Sequence, residues 1–162
     1  MPPLLPEVWT RLPEAADVAA LEATAAAAFD VSDAAGVAAT PGTQALIQML
    51  PHLLEGQRVG ILGFTYQEHA RVWREAGRRV EIVENPSDLA GFDIALVVNP
   101  NNPDGRLLSP DTLADLAATL AARGGRLIVD EAFVEVMGEG ASLAPRLPIG
   151  GAIVLRSFGK TW

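Results

Sequence analysis

The chain has 162 residues, 49% apolar and 20% charged, a composition that suits a folded globular domain long enough to bury a real core. A formal net charge of −8 gives no broad electrostatic attraction to nucleic acid or anionic lipid. The absence of cysteine excludes disulfides and thiolate metal ligands, and two histidines, His52 and His69, are too few for a histidine-based zinc centre, so no metal is expected.

No run reaches the roughly 18 apolar residues that a membrane span needs, and the start, Met1-Pro-Pro-Leu-Leu-Pro-Glu7, lacks the basic region of a secretory signal. The default expectation is a soluble cytoplasmic protein. Residues 14–29 are alanine-rich and favour a helix. Residues 38–43 form a turn, Ala-Ala-Thr-Pro-Gly-Thr, that opens a helix over 44–54. An apolar strand follows at 58–64, then a helix at 66–76 with apolar residues at helical spacing and Gly77 as its stop. Residues 79–83 alternate as a strand, whereas 94–98, Ile-Ala-Leu-Val-Val, is a continuous apolar run suited to a strand covered on both faces. Ser109 and Pro110 begin a helix as N-cap and first residue, which runs to about Arg123 and stops at Gly124-Gly125. Further strands are predicted at 126–130 and 152–156. Strands separated by helices imply an α/β fold of three layers, a largely parallel sheet with helices on both faces. Ligands of such sheets sit beyond the carboxyl ends of the strands.

Three segments fall at that edge: Asn99-Pro-Asn-Asn-Pro-Asp-Gly105, Val129-Asp-Glu-Ala-Phe133 and Ser157-Phe-Gly-Lys160. A lysine just past a buried strand is expected to be desolvated, which frees its amine as a nucleophile. Taken alone, Lys160 reads as a solvated surface lysine. With an Asn and an Asp at neighbouring strand ends it reads as the amine of a pyridoxal phosphate site, where the carboxylate keeps the pyridine nitrogen protonated so that the ring draws electrons. Thr40-Pro-Gly-Thr-Gln44 is a candidate phosphate cradle at a helix N-terminus, although Pro-Gly-Thr is commonly a plain turn. Tyr66 can stack on a planar ring or serve as a core aromatic. Glu131 beside Asp130 suggests a carboxylate pair, but adjacent strand residues point to opposite faces, which argues against a shared metal.

Together these motifs, over about residues 38–162, resemble the fold-type I pyridoxal phosphate enzymes, the class I/II aminotransferase superfamily. Within it the chain is similar to the histidinol-phosphate aminotransferase branch, and most of all to the enzymes that decarboxylate threonine phosphate in cobalamin biosynthesis. The segments Leu5-Pro-Glu-Val-Trp-Thr-Arg-Leu-Pro-Glu14 and Leu155-Arg-Ser-Phe-Gly-Lys160 carry that closer likeness. The resemblance implies roles by position. Gly42, Thr43 and Gln44 match the phosphate-binding turn, and Ser157 a further phosphate ligand. Tyr66 matches the aromatic stacked on the cofactor ring. Asn102 matches the donor to its phenolic oxygen, Asp130 the partner of its pyridine nitrogen, and Lys160 the Schiff-base lysine. Phe133 stands where aminotransferases usually carry tyrosine, which removes a second donor to the phenolic oxygen, weakens a generic transaminase reading and is compatible with the decarboxylase. The implied substrate is a phosphorylated amino acid, L-threonine O-3-phosphate, converted to 1-aminopropan-2-ol phosphate by a homodimer. Alternatives are a histidinol-phosphate-type aminotransferase and a non-catalytic α/β binding domain.

The resemblance also implies organisation: residues 1–37 an N-terminal arm and helix, residues 38–162 part of the pyridoxal phosphate-binding large domain. The chain stops two residues after Lys160. It is therefore expected to be a piece of a longer enzyme, without the small domain and its substrate-binding arginine, and inactive by itself.

Overall fold

The computed structural model describes residues 4–33 and 36–160. The apolar run 94–98 becomes β3 (Ile94–Val98), buried along its whole length, and the sheet is built around it. On one side β3 pairs with β1 (Arg58–Leu62), which pairs in turn with β2 (Arg79–Val83). On the other it pairs with β4 (Arg126–Asp130), which is followed by β5 (Ala152–Leu155). All of these pairs are parallel and the order is β2-β1-β3-β4-β5. Each strand therefore delivers its carboxyl end to the same edge. The winding direction reverses between β1 and β3, which opens a crevice at that edge.

The helices are α1 (Glu7–Thr10), α2 (Ala15–Ala28), α3 (Thr43–Leu53), α4 (Gln67–Glu75) and α5 (Pro110–Ala121). Alternation along the strands sends side chains to two separate cores. On one face Ile47 and Leu50 of α3 and Ala70, Val72 and Trp73 of α4 meet Val59, Ile61, Leu96 and Ile128. On the other, Leu113, Leu116, Ala117 and Leu120 of α5 meet Leu62, Ala95, Val97, Leu127 and Val129. The result is the three-layer, parallel arrangement that the strand and helix pattern predicts. Among the described residues no helix is long and apolar enough to cross a membrane.

Local signals explain most boundaries. Ser109 caps α5 by accepting the Thr112 N–H on its Oγ at 3.2 Å, with Pro110 in the first helical position. Gly77, at φ +79°, ends α4 in the left-handed region. Asp93 binds the start of β1 to the start of β3: its Oδ2 accepts the N–H groups of Arg58 at 2.9 Å and Gln57 at 2.8 Å. These two donors, Arg58 first, hold the Asp93 carboxyl below the usual carboxylate range. The predicted strand 58–64 ends earlier, at Leu62, because Gly63 turns out of the sheet at φ +66°. The strand predicted to reach 156 ends at Leu155, since Arg156 turns toward Glu131 and Glu135.

Candidate functional site

Four loops meet at the carboxyl edge of the sheet. Tyr66 follows β1 and caps α4, Asn102 lies in the loop after β3, Asp130 is the last residue of β4, and Lys160 ends a single 3-10 turn (Phe158–Lys160) after β5. With Thr43 and Gln44 from the start of α3, and with Ile47, Val98, Ala132 and Phe133, they line one cavity of about 190 Å³. Gly42 and Ser157 do not line it. They border an adjoining cavity of about 370 Å³, which shares Thr43 and also takes in Phe29, Arg156 and Phe158. Thr43 thus stands between the two spaces.

Asp130 is the buried carboxylate of the site, 4% exposed. Its Oδ2 accepts from His69 Nε2 at 2.8 Å, and its Oδ1 accepts the Ala132 N–H at 3.0 Å. His69, 1% exposed, sits on α4 one turn after Tyr66, and the two rings meet edge to face at 6.0 Å. The motif reading missed His69, having weighed it only as a metal ligand. The available signal was its i+3 spacing from Tyr66 on a helix face that opens toward the strand ends.

Glu131 turns the other way. It accepts the Leu143 N–H at 2.7 Å, the Ser142 hydroxyl at 2.5 Å and an Arg156 N–H at 3.2 Å. Burial pushes the Glu131 carboxyl above its usual range against those donors, and burial likewise lowers the Arg156 guanidinium. Arg156 also pairs with Glu135 and lies over the Phe29 ring at 4.1 Å. The adjacent carboxylates therefore serve separate purposes, as strand alternation requires. Asp130 faces the cavity, while Glu131 anchors the chain that leads into Ser157.

Lys160 differs from expectation. It is exposed rather than desolvated, and its Nζ lies 5.0 Å from the centre of the Phe133 ring. The ring face, not burial, holds the amine at the cavity mouth. Asn102 is also exposed, whereas Asn99 and Asn101 of the same motif are buried and structural. Asn101 donates to Phe64 O at 3.0 Å and to Asp104 Oδ1 at 2.7 Å. Asn99 exchanges hydrogen bonds with the Leu108 backbone at 2.8 and 3.1 Å. These bonds fix the loop that presents Asn102. The Gln44 side chain is engaged with Glu68 at 2.6 Å, so the start of α3 offers its backbone rather than this amide. Gly42 precedes it at φ +88°, a conformation that costs glycine little.

The donor set suits a flat, phosphorylated pyridine aldehyde. It offers an amine at the mouth, a buried carboxylate with lone pairs to spare, a polar amide, an aromatic ring, and a helix N-terminus beside a threonine.

The pattern of class I and II aminotransferases matches residues 9–162. The chain is 46% identical to a threonine-phosphate decarboxylase of Pseudomonas aeruginosa over 98% of its length and 47% of that protein. It spans about half the length of the curated relatives it matches. Its fold is similar to that of L-threonine-O-3-phosphate decarboxylase from Porphyromonas gingivalis, with a TM-score of 0.73 at 22% identity, covering 87% of this chain and 44% of that one. It is also similar to histidinol-phosphate aminotransferase from Sinorhizobium meliloti, solved in complex with pyridoxal-5'-phosphate. There the TM-score is 0.75 at 20% identity, covering 95% of this chain and 46% of that one. The five-stranded parallel sheet is the one shared with these large domains, and the chain belongs to the class I and II aminotransferase family.

Proposed function

We propose that this chain forms the cofactor-binding part of a pyridoxal phosphate-dependent enzyme that decarboxylates L-threonine O-3-phosphate to 1-aminopropan-2-ol phosphate, a step of cobalamin biosynthesis. The observation that carries the cofactor reading is the convergence of Lys160, Asp130, Asn102 and Tyr66 on one cavity at the carboxyl edge of the sheet. The choice of substrate rests on the likeness to the Pseudomonas aeruginosa protein.

When bound, pyridoxal phosphate supplies an electron-poor ring that takes up the electron pair left as the Cα–carboxylate bond breaks. The residues of this chain then divide the work. Lys160 would hold the cofactor through its amine, which could also carry a proton beside the reacting centre. Asp130 would hold a proton on the ring nitrogen. Tyr66 offers its ring and Asn102 its amide to the cofactor's plane and phenolic oxygen. Thr43, Ser157, Gly42 and the backbone of Gln44 receive the phosphate end, where the α3 N-terminus favours an anion. Phe133 offers a ring but no hydroxyl, so the phenolic oxygen has one donor fewer than a tyrosine would give.

In this reading residues 38–162 are part of a large domain and residues 1–37 an arm with one helix. A homodimer is part of the proposal, supported by apolar side chains left exposed at Val8, Trp9, Leu12 and Phe64. Sedimentation of the full-length protein tests it.

The test of function is direct. Borohydride treatment of the cofactor-loaded, full-length protein should fix the label on Lys160, and threonine phosphate should release CO₂. A keto acid together with the pyridoxamine form of the cofactor would instead establish an aminotransferase. No visible absorption from a lysine-bound cofactor would overturn both.

A further inference from the structure

We infer that Phe29 is a positioning residue for Lys160, through which the arm helix α2 sets the turn that carries the amine; the inference rests on the cofactor reading above. Ser157 and Lys160 both follow β5, so the segment 156–160 must keep its course if the amine and Asp130 are to reach one ligand. Its first residue is tied down: Arg156 donates to Ser142 Oγ at 2.8 Å and to Glu131 at 3.2 Å, and pairs with Glu135. Its third residue, Phe158, is 53% exposed and is not held by burial. What meets it is the ring of Phe29, stacked at 5.6 Å and 25°. The Arg156 guanidinium lies 4.1 Å from the centre of the same ring. One side chain of the arm thus lies against the residues on both sides of Ser157.

Phe29 is suited to this by its place. It is the C-cap of α2, its N–H donating to Ala25 O at 2.9 Å. The helix is itself held: Glu22 accepts the Ala39 N–H at 2.9 Å, in the segment that leads into the phosphate turn. Just beyond the helix, Ser32 donates to Leu147 O at 3.2 Å. Both contacts of Phe29 need a flat aromatic face. A guanidinium is drawn to the negative face of a π system, and a second ring stacks on it. Leucine would fill the space and keep the wall of the cavity of about 370 Å³ apolar, yet offer neither contact. The choice of residue therefore separates positioning from packing.

The test uses the full-length protein and two probes. Pyridoxal phosphate has an aldehyde whose carbon can condense with the Lys160 amine, its oxygen leaving as water. Pyridoxine phosphate carries an alcohol there and cannot. The ratio of the two affinities therefore reads the placement of the amine. Phe29→Leu should weaken pyridoxal phosphate about 10-fold, the size of one such ring contact, and leave pyridoxine phosphate nearly unchanged. Phe29→Tyr, which keeps the ring, should behave as the wild type. Phe158→Leu, at an exposed position, should show the same selective loss and serves where Phe29→Leu fails to fold. The double variant should lose no more than Phe29→Leu alone, because the stack is one shared contact. Equal weakening of both probes would mark Phe29 as merely structural and overturn the inference, as would undiminished pyridoxal phosphate binding by Phe29→Leu or additive losses in the double variant. Should the wild type bind neither probe, or both equally, the proposed function falls, and hydrogen exchange alone decides whether Phe29 holds the turn. In the cofactor-free protein Phe29→Leu should speed exchange at residues 157–160 about 10-fold, and an unchanged rate overturns the hold.

Discussion

Asp130 and Glu131 are neighbours in the chain and both are buried, yet their substitutions should have opposite signatures. Asp130→Asn keeps the size of the side chain and removes its charge. Turnover of the full-length protein should fall by several orders of magnitude, with a melting temperature near that of the wild type, as an enzyme assay and a thermal scan would show. Near-normal turnover would refute the role given to Asp130. Glu131→Ala instead strands the Leu143 N–H, the Ser142 hydroxyl and an N–H of Arg156 without their acceptor. Removing one partner of a buried ion pair costs about 3–5 kcal/mol, so denaturant unfolding should register a loss of that order. The pair also shows where reading residues by type succeeds. Strand alternation alone separates the two carboxylates. Which of them lines the cavity was legible because Asp130 ends a strand at the carboxyl edge of the sheet. The partner of Asp130 was not, since His69 lies 61 residues away in the chain and only the fold brings it near.

At the scale of elements, β1 depends on two contacts. The first is Asp93, whose carboxylate accepts two N–H groups from the start of β1. Its folded-state pKa is lowered, so it contributes stability above its unfolded value, near 3.9, and that contribution is lost as pH falls through the folded value. Asp93→Asn should thus be about 1 kcal/mol less stable than the wild type at neutral pH, and the gap should close in acid. A gap that persists unchanged at low pH would contradict this. The second is Gly60, where an added Cβ would come within 2.5 Å of the Phe92 ring, itself packed under Arg58. Gly60→Ala should cost about 1–3 kcal/mol by overpacking, read from a shift in the denaturation midpoint. Strand positions were legible from their apolar runs, and the ends of α4 and α5 from Gly77, Ser109 and Pro110. The turn at Gly63 was not, because the apolar run continues into Phe64, whose side chain proves to be exposed. Nor was α1, only four residues long and lacking periodicity.

Over the whole molecule, the site draws its residues from strands of unequal security. β3 is paired on both sides, whereas β5, among the described residues, pairs with β4 alone. Lys160 and Ser157 follow β5, while Asp130 closes β4. In the 162-residue chain, amide hydrogen exchange should follow this ranking: slow through β3, faster through β5, because a strand paired on one side can open without unfolding the sheet. A ligand that engages both Asp130 and Lys160 would clip the edge strand to the interior. Saturating pyridoxal phosphate should therefore slow exchange in β5 and in the turn after it, yet leave β2, the opposite edge, at its original rate. If Lys160 holds the cofactor as proposed, its amine hangs from a strand paired on one side only, and catching the cofactor is also what finishes the folding of the site.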